Sequence, residues 1–136
     1  MSLEVRGEGF DAFRNALRDA ATDTPRVVDE TERHLAGEVV RLARRRADQL
    51  GGVAPKAARS LRVQRAEDGY SVRYGGAAYP YAMGAEFGSR RYGQFRAYRR
   101  AGYFVRQARY EVSRYRLRES FERAFSRAVR EAFPDQ

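Results

Sequence analysis

The chain has 136 residues, enough for one domain with a hydrophobic core and too few for two ordinary ones. It contains no cysteine, which excludes disulfides and thiolate metal sites and fits a reducing compartment or a particle assembled inside a cell. Its 27 basic residues outnumber 18 acids for a net charge of +9, and every basic residue except Lys56 is arginine, whose forked guanidinium pairs bidentately with carboxylates and phosphates and stacks on aromatic rings.

The charge is polarised along the chain. From Met1 to Glu38 nine acids meet five arginines, a net of −4, whereas from Arg90 to Arg130 thirteen arginines meet three acids, a net of +10. Such asymmetry fits a nucleic-acid face or head-to-tail attraction between copies of one subunit. The first residues lack the pattern of an export signal, and no apolar run approaches the length of a membrane span.

Phe10, Phe13 and Leu17 recur at helical spacing, which predicts a short amphipathic helix over Gly9–Ala21. Thr24 then offers a capping oxygen and Pro25 suits the first helical position, so a long helix starts there. Its stripe runs through Val28, Leu35, Val39 and Leu42, with Asp29, Glu30 and Glu32 toward its positive end and Arg44, Arg45 and Arg46 toward its negative end. Gly51 and Gly52 stop it. Beyond Pro55 the period changes to two: Leu61 and Val63 alternate with Arg62 and Gln64, Glu67, Asp68 and Gly69 make a turn, and Tyr70, Val72 and Tyr74 alternate with Ser71 and Arg73. This predicts a hairpin ended by Gly75 and Gly76.

The stretch YPYAMGAEFGS, Tyr79–Ser89, follows as either a short strand or a single helical turn, and Ser89–Arg100, rich in arginine, tyrosine and glycine without a period, reads as a loop. From Tyr103 the helical period returns, with Phe104, Ala108, Val112 and Tyr115 on one stripe and Leu117, Phe121, Phe125, Ala128 and Val129 on another. The stripe rotates near Ser113–Tyr115, so either two helices meet there or one helix changes partner, and Pro134 ends the run. The fold class expected is α+β: long N-terminal helices and a C-terminal helical segment packed on a small antiparallel sheet. Residues 1–136 are expected to form a single domain, with 1–24 a helical extension and 25–136 the domain proper.

Catalytic chemistry finds no foothold. His34 is the only histidine, no serine sits in a nucleophile-elbow pattern, and no glycine-rich phosphate loop is present; no catalytic residue, metal or cofactor is expected. Gly84 and Gly88 have the spacing of a membrane packing motif without the apolar surroundings it needs. Arg90, Arg91, Arg96, Arg99 and Arg100 are interleaved with Tyr92, Phe95, Tyr98 and Tyr103, a mixture that serves phosphate neutralisation and base stacking as well as it serves packing against a neighbouring chain.

The string YAMGAEFGS, followed by GYFVRQARYEV and by YRLRESFERAFSRAVREAF, resembles the head-to-tail connector proteins of long-tailed phages, also called neck or tail-completion proteins. The resemblance covers roughly Val27–Phe133 and extends to the order of helix, hairpin, Glu-Phe-Gly stretch and C-terminal helix. The family's Asp-Thr-Gly turn before the first strand is missing; GGVAPKAARSLRV stands there, keeping Ser60 and Leu61. The resemblance implies a ring, of six copies, around the channel through which DNA leaves the head. Such a subunit is assembled in the host cytoplasm and resides in the virion neck. Its partners are copies of itself and neighbouring connector and tail proteins, with transient non-specific contact to phage DNA and none to a membrane. The alternatives are a tail-terminator ring and a small basic DNA- or RNA-binding domain.

On this reading Tyr79, Tyr81, Glu86 and Phe87 are expected at the subunit interface, together with Gly88, Tyr92, Phe95 and Tyr98. Phe87 would anchor, Gly88 would allow a tight turn, and Glu86 would pair with an arginine of the basic loop, across the boundary or within the chain. The DNA channel is assigned to Arg62, Arg65 and Arg73 of the hairpin, where arginine stands beside Gln64, Glu67 and Asp68 and so offers charge without gripping.

Overall fold

A computed structural model describes residues 24–67 and 69–132. The helix expected over Gly9–Ala21 lies outside them. Helix α1, Thr24–Leu50, runs the length of the domain and ends where Gly51 and Gly52 take positive φ of 69° and 62°. A short helix α2, Ala54–Ala58, opens with Pro55 in its first turn. Strands β1, Arg62–Ala66, and β2, Gly69–Arg73, form a two-stranded antiparallel hairpin in the register Arg62↔Arg73, Gln64↔Ser71, Ala66↔Gly69. Helix α3, Ala82–Phe87, settles the choice left open for the Tyr79–Ser89 stretch in favour of a helical turn. After an irregular loop come helix α4, Val105–Glu111, a π-helical turn, Val112–Arg116, and helix α5, Leu117–Ala132. The class is α+β, with the helices dominant.

The core lies where α1 meets α2 and α4, with α3 packed on α2. Its buried positions on α1 are Leu35, Val39 and Val40 with Ala36, Ala43 and Ala47, and they meet Ala54, Ala57, Ala58, Leu61, Phe104 and Ala108. Alanine at the closest points lets helix axes approach, and Phe104, fully buried, fills the remaining volume. Leu42, expected on the stripe, stands at the rim instead. The arginines 44–46 are not placed to complement the helix end, since the last turn carries no basic residue. Two of them serve tertiary contacts: the Arg44 guanidinium donates to the Leu61 carbonyl at 2.9 Å, and Arg46 donates to Gln107 at 2.9 Å and to Glu111 at 2.6 Å.

The rotation of the apolar stripe has a single cause. Leu117 N–H donates to the Val112 carbonyl, five residues back, so one extra residue is accommodated in that turn. The axis continues while the stripe shifts from Val112, buried against the core, to Phe121, half-buried and packed against it. The helix neither breaks nor needs a loop.

Candidate interaction surface

Glu86 lies in the last turn of α3 and is 1% exposed. Its Oε1 accepts hydrogen bonds from the backbone N–H of Tyr103 at 2.6 Å and of Phe104 at 3.0 Å, and its Oε2 accepts from Arg106 N–H at 3.1 Å. These amides stand at the start of α4, so a carboxylate from across the loop caps that helix and meets the positive end of its dipole. Both expectations for this residue are corrected: Glu86 forms no ion pair among the described residues, and a side chain buried inside its own chain is not on a face that a partner can reach. Water cannot solvate the carboxylate there, and three backbone donors replace it.

The same junction holds the basic loop in place. Gly88 leaves α3 with a φ of 72°, and a Cβ there would collide with the Ala97 carbonyl oxygen. Arg99 N–H donates to the Phe87 carbonyl at 2.7 Å, Ser89 N–H to the Arg96 carbonyl at 2.9 Å, and the Arg96 guanidinium to the Leu50 carbonyl at the end of α1 at 2.7 Å. The loop expected over Ser89–Arg100 is therefore irregular in backbone but tied at several points to two helices.

What that loop carries faces outward. Phe95 lies over Gly84, where any β-carbon would strike its ring, and Tyr92 and Tyr98 are about half exposed. With Met83, 55% exposed, and Phe87 they line an open depression of about 590 Å³. Guanidinium groups already cover several rings: Arg90 lies 4.7 Å from the Tyr98 centroid, Arg91 5.5 Å from Tyr92 and Arg106 5.9 Å from Phe87. Five residues expected at an interface, Phe87, Gly88, Tyr92, Phe95 and Tyr98, are thus brought to one surface, and Met83 joins them.

Tyr79 and Tyr81 form a separate pair, edge to face at 6.2 Å. Tyr81 packs against the core under Lys56, 5.3 Å from its ring, so its first role is in the fold. Tyr74 is likewise a core residue, edge-on to Phe104 at 5.6 Å with its hydroxyl donating to the Ala82 carbonyl at 2.6 Å. Burial, the nearby Glu86 carboxylate and Tyr81 push its phenol far above the ordinary value of 10.0, so it remains a hydrogen-bond donor across the neutral range.

The three hairpin arginines do not share a face. Arg62 and Arg73 are paired in register, while Arg65 is paired with Tyr70 on the opposite side, facing α1. Each is occupied: Arg62 donates to the carbonyls of Ser60 at 2.8 Å and Gly75 at 3.2 Å, Arg73 to Gln64 at 3.1 Å, and Arg65 lies 3.9 Å from Asp29. On the far side of α1 His34 pairs with Glu38 at 3.0 Å, and Glu38 also takes Arg116 at 3.2 Å. No cluster of potential metal ligands occurs among the described residues, and no helix among them is long and apolar enough to cross a membrane. No family model matches this chain, and no curated protein or solved structure is significantly similar to it.

Proposed function

We propose that the chain is a structural subunit of the head-to-tail connector of a long-tailed phage, joining copies of itself into a ring around the DNA channel in the virion neck. The observation that carries this reading is the pinned loop. A dozen irregular residues would ordinarily be mobile, yet hydrogen bonds to α1 and α3 hold Tyr92, Phe95 and Tyr98 beside Met83 on one open surface. Preordering lowers the entropic cost of association, and tyrosine, methionine and arginine are the residues enriched at protein interfaces. A ring also needs a second, different patch on each subunit, because a heterologous interface repeats around a closed rotation. The first half of α1, with exposed Glu30 near Glu32, offers carboxylates to the basic loop.

The hairpin fits the channel wall in this assembly. Arginines already engaged with carbonyls, an amide and a carboxylate present positive charge while gaining little from each passing phosphate, so DNA moves past them. Arg62 and Arg73 would face the lumen together, and Arg65 would stabilise the hairpin on α1.

Deleting the gene for this chain from its phage tests the proposal. Filled heads and finished tails that fail to join are expected, with joining restored by the wild-type protein and not by the Met83→Ser/Tyr92→Ala/Tyr98→Ala variant. Tails of uncontrolled length in place of unjoined ones would assign the chain to the tail-terminator ring, and normal infectious particles would end the proposal.

A further inference from the structure

A second groove, of about 990 Å³, adjoins the aromatic depression and shares Arg100 and Arg106 with it. It runs between the basic loop, the Arg46 side of α1 and one face of α4. Arg106, Arg109, Tyr110 and Ser113 line it at helical spacing, three or four residues apart, and so form one stripe. The opposite stripe, Ala108 and Val112, is buried in the core, which fixes the orientation of the charged one.

The groove is electrostatically unbalanced. Five guanidinium groups, from Arg46, Arg99, Arg100, Arg106 and Arg109, border it against a single carboxylate, Glu111, and Arg46 already neutralises Glu111 at 2.6 Å. Arg99, Arg100 and Arg109 have no carboxylate partner among the described residues. At one end Tyr110 and Tyr115 stand 60% and 64% exposed, with the Arg114 guanidinium 5.9 and 5.8 Å from their ring centroids.

We propose that this groove is a binding site for the phosphodiester backbone of a nucleic acid. Like charges held side by side repel one another, and a ligand with regularly spaced anions relieves that repulsion while releasing its own counterions. Two exposed rings beside the row offer faces on which bases stack. An acidic protein would satisfy the charge but not use the rings in this way. The site differs from the hairpin in kind: there each arginine is engaged within the chain, whereas here three are unopposed. It stands without the ring reading, since one chain carries all of it.

Fluorescence anisotropy with the full chain and a short labelled oligonucleotide, single-stranded in one series and duplex in the other, tests the site across a range of salt. Binding is expected to weaken with salt at a logarithmic slope of roughly −2 to −4, as for three or four neutralised phosphates. Arg99→Ala/Arg100→Ala/Arg109→Ala should lower affinity about tenfold or more and flatten the slope by about 2. Arg62→Ala/Arg65→Ala/Arg73→Ala removes the same charge and should change affinity less than about threefold if the site is local. Tighter binding of the single strand, lost in Tyr110→Ala/Tyr115→Ala, assigns unpaired nucleotides to the groove; equal binding of the two forms, indifferent to the tyrosines, assigns the duplex backbone. Absence of salt-dependent binding, equal loss in the two arginine triples, or displacement of the oligonucleotide by polyglutamate as readily as by polyphosphate would each overturn the proposal.

Discussion

At position 86 a buried carboxylate links two helices that are separate in sequence, and its removal has a calculable consequence. Glu86→Ala leaves two amide donors, of Phe104 and Arg106, without their acceptor, while the Tyr103 amide keeps the Glu86 backbone carbonyl at 2.8 Å. Each orphaned donor costs roughly 1–3 kcal/mol, so the variant should lose at least about 2 kcal/mol of stability, measured by urea denaturation. Glu86→Gln keeps one acceptor oxygen and turns an NH₂ group toward a donor, and its loss should be smaller. Unchanged stability of Glu86→Ala would return this residue to a surface role. From sequence alone Glu86 reads as an interface acid, because arginines flank it on both sides. The partners it actually uses are backbone amides, which no side chain announces.

At the scale of elements, the π-helical turn explains how one continuous helix presents two faces. Residues 113–116 are exposed, so the extra residue is carried at little packing cost. Deleting Arg114 should convert the turn to regular α-helix, keep α5 seated on α1, and change stability by less than about 1 kcal/mol. Deleting Arg123 from the regular part of α5 instead rotates everything after it by about 100° and swings half-buried Phe125 and Val129 toward solvent, a clearly larger loss in thermal unfolding. Equal losses would mean that the π turn has no such buffering role. Much at this scale is legible in the sequence. Pro25 and the Gly51-Gly52 pair bound α1, the period of two marks the hairpin, and the shift between the Val112 and Phe121 stripes locates the π turn. The core face of α1 is harder to read. Its closest contacts are Ala43 and Ala47, and alanine is so common on exposed helix faces that only the approach of α2 and α4 singles them out.

For the molecule as a whole, the surface offered to partners is rich in arginine and tyrosine, with an open depression rather than a large apolar face. Interfaces of that kind are small and polar, so the purified chain should sediment as a monomer at micromolar concentration and close into rings only on an assembled head or tail. A tight hexamer in dilute solution by analytical ultracentrifugation would contradict this. The bonds that tie the basic loop to α1 and α3 also govern how the chain meets a protease. Trypsin cuts after arginine and needs its target drawn out into an extended strand, and the loop is dense in arginine. Yet Arg96 and Arg99 are anchored by hydrogen bonds to Leu50 and Phe87, and the loop's exit is held by Glu86. Freeing that segment means breaking the cap of α4, so cleavage within it waits on the opening of the core, and the most digestible stretch by composition is guarded by the stability of the entire domain.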